Sequence, residues 1–409
     1  MNFCNGSLMT ETPAKALSFP EFAALVSCVM AMTALGIDAM LPALPEIGRS
    51  LRVDNANHLQ WVVAIFFFGH GLGQLIFGIL SDWLGRKRML LIGIGLFAVL
   101  MAATALVSTL PALLTLRLLQ GVCAASASVV TRAVVRDLYS GAQMARVMST
   151  SYVMFLAVPV LAPSLGQLIL LVLPWPAIFL AIAVLAAAVC AWMWLRLPET
   201  HPPERRQRPN LRRLISVALF VLTQPVSVVY TLAVACMLST MLAYVSLMPQ
   251  IFHDVFAKPQ WLAPVFAVCA LGMAAGSVLN ATLVEKLGVR RMSHTALVVF
   301  IIVTFIHMVW AFTGQETLIS FVVLQGLTMT AMTLCTANFN ALSMEPTGAV
   351  AGTAASLQGV FTAVVGSCLG GFVGQHWTGD IALLPLGACL CGALAFACIL
   401  VGDRKRLFG

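Results

Sequence analysis

A chain of 409 residues that is 60% hydrophobic and only 9% charged is too apolar for a soluble fold of this length, where about a quarter of residues carry charge. Its apolar runs lack the period of two that a membrane β-barrel requires, so the composition points to an all-α polytopic membrane protein. The net charge of +8 does not indicate a nucleic-acid partner, because the basic residues collect in alternate loops, as membrane topology demands.

The residues up to about Phe19 are polar and lack the ordered charge, apolar run and cleavage site of a signal peptide, so the first span is expected to stay in the protein. Apolar runs near the roughly 20 residues that cross a hydrocarbon core then predict spans over 22–44, 58–80, 89–107, 111–135, 144–172 and 174–195. Between the second and third lies a charged hairpin, GILSDWLGRKRM at 78–89. Its Arg86, Lys87 and Arg88 cannot enter lipid, and by the positive-inside bias they place this loop in the cytoplasm.

The stretch 198–213, PETHPPERRQRPNLRR, is the only long polar segment inside the chain. It reads as a basic cytoplasmic linker (198–215) joining a first bundle, 1–197, to a second, 216–409. Spans over 227–248, 261–283, 292–312, 318–342, 349–375 and 381–401 follow, and Arg404, Lys405 and Arg406 close the chain on the same side. Twelve spans with both termini inside leave only Arg49, Arg52 and Lys258 in outer loops. The eleven cysteines include no CxxC pair, and most sit within apolar runs as small hydrophobes.

An internal repeat supports the division into halves. GQLIFGILSDWLGRKRM at 73–89 aligns without gaps on GSVLNATLVEKLGVRRM at 276–292, and the triplet at 119–121 recurs at 324–326. Two parallel six-span halves related by an axis along the membrane normal constitute the major facilitator architecture. The hairpin also resembles the loop signature of the major facilitator superfamily. More narrowly, IDAMLPALPEI at 37–47, RLLQG at 117–121, RAVVRDLYS at 132–140, PVLAPSLGQ at 159–167, LPET at 197–200 and AGTAASLQG at 351–359 resemble the bicyclomycin and chloramphenicol resistance branch of its drug:proton antiporters.

No GxxxxGK[ST] phosphate loop occurs, and no cluster has metal-ligand or nucleophile spacing. No cofactor, metal or enzymatic activity is therefore expected, and an ion gradient is the expected driver. That requires an ionisable group inside the membrane. Asp38 is the only acid well inside a predicted span, about 10 Å deep from Pro45. An acid there is costly unless it is paired, faces a water-filled cavity or is protonated, so it either couples protons or forms a fixed ion pair. Arg117 lies six residues after Pro111, about 9 Å deep in the fourth span. If both spans line a central cavity, as the resemblance implies, Asp38 and Arg117 are expected to pair and to link protonation to transport.

Around the hairpin, Gly78, Asp82, Gly85, Arg86 and Arg88 form the gating motif together with Arg136 and Asp137. The resemblance implies an Arg86–Asp137 contact and an Asp82 that faces the start of the eleventh helix, latching the inner side shut. It likewise reads Pro159, Pro163 and Gly166 as the antiporter motif, whereas the residues alone indicate a proline kink. Met40, His70, Gln120, Tyr152, Asn338 and Asn340 are candidates to line the substrate cavity. His70 and His307 read equally as buried neutral histidines, and the asparagines as bridges between helices.

The sequence thus leads to a monomeric, proton-coupled exporter of small, largely apolar compounds in the bacterial inner membrane. An exporter of one specific metabolite and a non-transporting sensor of the same architecture are the alternatives.

Overall fold

A computed structural model describes residues 17–206, 208 and 210–403. The terminal Arg404, Lys405 and Arg406 lie outside them. All regular structure among the described residues is helical. The first half holds α1 (Phe19–Asp38), the short α2 (Leu44–Ser50), α3 (Trp61–Leu84), α4 (Arg86–Thr104), α5 (Leu110–Leu138), α6 (Gly141–Leu170) and α7 (Pro176–Arg196). A 12-residue helix, α8 (Leu211–Leu222), leads into α9 (Pro225–Gln250), α10 (Leu262–Leu287), α11 (Val289–Phe312), α12 (Leu318–Met344), α13 (Ala351–Gln375) and α14 (Leu383–Gly402).

Among the described residues, 11 helical segments are long and apolar enough to cross a membrane. The 30-residue α6 is a further long helix, which gives the two six-helix bundles expected from the sequence. Within the first bundle α3 packs on α5, α4 on α5 and α7, and α1 on α6. The second repeats this with α10 on α12, α11 on α12 and α14, and α9 on α13. The bundles meet along two seams, α3 against α13 and α6 against α10. These seams exchange under the repeat, so the internal symmetry of the sequence is also the symmetry of the interface.

Both hairpins turn on a glycine that other residues fit poorly. Gly85 has φ +103° and Gly288 has φ +81°, and each stands as C-cap of one helix and N-cap of the next. Only a residue without Cβ adopts such angles at low cost.

Two local features depart from the sequence reading. The first span is broken: α1 stops at Asp38, and a 3-10 turn (Leu41–Ala43) intervenes before α2. Pro42 and Pro45 cause this, since neither offers an N–H to the carbonyl four residues before it, at Asp38 and Leu41 respectively. The linker is not irregular throughout. It carries α8, whose Val217 and Val221 pack on Ala354 of α13, while Ile215, Leu219 and Leu222 stay exposed. Basic residues and prolines upstream mask this amphipathic stripe in the sequence.

Candidate functional site

Two groups of side chains at different depths bear on function: a buried set at the break in α1 and a charged set at the hairpin. Asp38 is the last residue of α1 and is 8% exposed. The acid is thus buried at a helix end where Pro42 removes the i+4 donor to its own carbonyl. Gly166 of α6 fixes this geometry, because a Cβ there would run into the carbonyl oxygen of Ala39. The close approach of α6 to the break therefore depends on glycine. Gly166→Ala is expected to push α6 away from Ala39 at a cost of about 1–3 kcal/mol. It should cut transport below a tenth of wild type at normal expression, measured as flux per purified protein.

The expected pair between Asp38 and Arg117 is not formed. Arg117 is fully buried, and its guanidinium is engaged elsewhere: Nη1 donates to Gly36 O at 2.8 Å and to Gln120 Oε1 at 2.9 Å, and Nε donates to Val62 O at 3.1 Å. The group also lies over the Phe66 ring, 4.5 Å from its centroid. Gly36 O belongs to the last turn of α1, where a helix leaves carbonyls without helical partners. Arg117 thus caps α1 at the negative end of its dipole, two residues before Asp38. Its contact near the acid is with the backbone of α1 and not with the carboxylate.

Gln120 is correspondingly not a cavity residue. It is buried, accepts from Arg117, and donates to Leu100 O at 3.0 Å and Thr104 Oγ1 at 2.6 Å, tying α5 to α4. Met40 is fully buried in the turn after Asp38. From the opposite bundle, Tyr244 of α9 is buried, and its hydroxyl finds no hydrogen-bond partner among the described residues. Its ring packs on Phe266 at 5.1 Å. Sequence reasoning missed Tyr244; a rare tyrosine near the end of a predicted span was the available signal.

The other cavity candidates separate. His70 of α3 faces Gln74 Nε2 at 3.4 Å and Ser128 Oγ of α5 at 3.3 Å, so it bridges helices within the first bundle. Asn338 donates to Asn280 Oδ1 at 2.6 Å, joining α12 to α10, whereas Asn340 is exposed and bonds Thr336 O of its own helix. The side chains of Tyr152 and Pro159 lie outside the described residues. Pro163 is buried, and α6 continues as helix through it. His307 is bonded to Glu316 at 2.7 Å with both side chains buried, although the sequence places Glu316 in a loop.

At the hairpin, Arg86 is the hub. It is buried, its backbone N–H donates to Glu199 at 2.8 Å, and its guanidinium meets Asp82 at 2.5 Å, Asp137 at 3.2 Å and Ser81 Oγ at 2.7 Å. Gly78 packs near Ser356 of α13. Asp82 faces the start of α13 across a cavity of about 370 Å³, which Arg132, Arg136, Gly352 and Thr353 also line. Arg88 is exposed. The second bundle has its own cluster, in which Arg290 binds Glu345 at 2.8 Å and Asp403 at 3.2 Å, and Tyr230 donates to Asp403 at 3.0 Å. In the gapless repeat Arg86 aligns with Val289, so the neighbouring Arg290 takes over the contacts.

At the other end, remote from the hairpin, neutral amides join the bundles. Asn57 donates to Gln375 O at 3.0 Å and Trp377 O at 2.9 Å, Gln375 returns a bond to Asn57 O at 2.6 Å, and Gln60 donates to Gln250 at 2.5 Å. Gln167 of α6 adds a bond to Pro259 O at 3.0 Å. Amide bonds thus join the bundles at this end, whereas at the hairpin end Asp82 and the start of α13 stand across a cavity.

Comparison with known proteins agrees with this architecture. A family model described as Major Facilitator Superfamily matches residues 26–374. A chloramphenicol resistance protein of Pseudomonas aeruginosa is 31% identical over 87% of this chain and 82% of its own. A bicyclomycin resistance protein homolog of Haemophilus influenzae is 27% identical over 87% of this chain and 89% of its own. Among solved structures, a D-xylose-proton symporter superposes with a TM-score of 0.74 over 93% of this chain and 98% of that one, at 14% identity, a likeness of fold.

Proposed function

Because the chain belongs to the Major Facilitator Superfamily, we propose that it is a proton-coupled exporter of the bacterial inner membrane, exchanging protons for small, largely apolar compounds. The carrying observation is Asp38, an acid buried at a break in α1 and in no ion pair among the described residues. An acid in that setting takes up a proton when shielded and releases it when water reaches it, which is what coupling to a gradient requires. Arg117 keeps the break, and so the acid, in position. α9 of the second bundle packs on the turn that follows Asp38, so that protonation and the relative position of the bundles are linked.

In this reading the hairpin faces the cytoplasm, together with both termini. The conformation described is then closed outside by the amide bonds and open inside along the crevice beside Asp82. Residues 1–197 and 216–409 rock as two bodies about the two seams, and closure of the inner side brings Asp82 to the start of α13, where free N–H groups favour an anion. Export as the direction rests on the drug-resistance names of the relatives, and chloramphenicol is the first compound to test. The protein works as a monomer, with the substrate and protons as its partners.

The test is flux in proteoliposomes holding the purified chain, with a panel of apolar antibiotics including chloramphenicol. An imposed pH gradient is expected to accelerate movement against the proton flow at least fivefold. No acceleration for any compound that the liposomes retain would overturn the proposal.

A further inference from the structure

Two cavities open at the end remote from the hairpin, and one of them carries more charged side chains than the other. One, of about 560 Å³, lies between α2 with the following loop and the end of α9, and is walled by Arg49, Arg52, Asp54, Gln60, Gln250 and Asp254. The other, of about 580 Å³, lies where α6 meets the start of α10 and is walled mainly by Pro42, Leu168, Leu171, Phe252, Pro259 and Leu262. They share Pro45, Pro249 and His253, so they adjoin one another. Leu168 and Leu171 are 63% and 80% exposed on the apolar belt of the molecule, so the second compartment opens sideways toward lipid.

The charges of the polar compartment are unequally occupied. Asp254 is engaged by His253 at 2.8 Å and by the Trp377 indole N–H at 3.3 Å. Arg49 and Arg52 form no ion pair among the described residues, although Asp54 shares their cavity. One tight turn, closed by Val53 N–H to Gly48 O at 2.9 Å, sets both guanidiniums on the same wall. Two such groups suit a phosphate or carboxylate.

We propose that this space is an exit site for amphiphilic compounds with an anionic head and a single apolar chain. The head lies against Arg49 and Arg52, the chain lies between α6 and α10, and the compound leaves sideways into the outer leaflet. The occupant comes from inside, because Gln60 and Gln250, whose mutual bond closes the passage between the bundles, also wall the polar compartment. This assignment deepens the export reading and rests on it for the direction of travel.

The experiment is equilibrium binding of dodecyl phosphate to the full chain in phosphatidylcholine nanodiscs. Butyl phosphate and dodecyltrimethylammonium are expected to bind at least tenfold more weakly. The double variant Arg49→Ala/Arg52→Ala, and separately Ser164→Trp, which fills the apolar compartment from its exposed rim, should each weaken dodecyl phosphate at least tenfold. Equal binding of the cationic amphiphile, or unchanged affinity in either variant, overturns the site. Competition from phosphatidylglycerol in the nanodisc that weakens the probe tenfold would make the occupant a leaflet lipid and overturn the exit assignment. Because binding is read without transport, the export reading can fail in liposomes while the binding pattern holds, and the reverse.

Discussion

Asp38→Asn is expected to remove the response of transport to a pH gradient while leaving the carrier folded. In proteoliposomes the gradient-driven rate should fall at least a hundredfold, whereas exchange of labelled for unlabelled compound at equal pH should stay within threefold of wild type. The asparagine has the shape of the acid but cannot carry a proton. The break in α1 is set by Pro42, Pro45 and the cap from Arg117, none of which uses the carboxylate. Unfolding in detergent should accordingly shift by no more than about 1 kcal/mol. Gradient-driven flux equal to wild type would dismiss Asp38 as the proton carrier.

Arg117→Lys should be damaging in a different way, lowering stability and transport together. The guanidinium reaches acceptors on α1, α3 and α5 at once and stacks on Phe66. An ammonium group keeps the charge but cannot reproduce that fork. Leaving Gly36 O and Gln120 Oε1 poorly satisfied in the core is expected to cost about 2–4 kcal/mol. Transport should drop below a tenth of wild type even under a large gradient. A lysine variant with wild-type stability and flux would show that a bare positive charge suffices and that the fork is dispensable.

What could be read from the sequence follows from how local each signal is. The hairpin at Gly85 is local: a glycine between two apolar runs, flanked by charges that cannot enter lipid, and its repeat at Gly288 adopts the same left-handed turn. The spans were legible for the same reason. The direct pair expected between Asp38 and Arg117 failed because depth along two helices fixes height but not azimuth, and Arg117 points at the backbone of α1. Pro45 was legible as the end of a span, whereas Pro42 lay inside the expected span and the break with further helix beyond it was not foreseen. Nothing in the spacing of Asn57, Gln60, Gln250 and Gln375 announces that they meet, since only the closing of one bundle on the other brings them together. Glu316 reads as a loop acid until His307 is seen to bury it.

The amide bonds at the end remote from the hairpin carry no formal charge, whereas Asp82, proposed above to close the hairpin end, is 56% exposed. Ionic strength therefore acts on the two ends unequally. Between about 0.01 M and 1 M salt the screening length falls from about 30 Å to about 3 Å. That weakens attraction between the exposed carboxylate and the start of α13 but leaves amide bonds nearly untouched. If Asp82 closes the hairpin side as proposed, concentrated electrolyte is expected to hold the molecule in the arrangement described and dilution to release it.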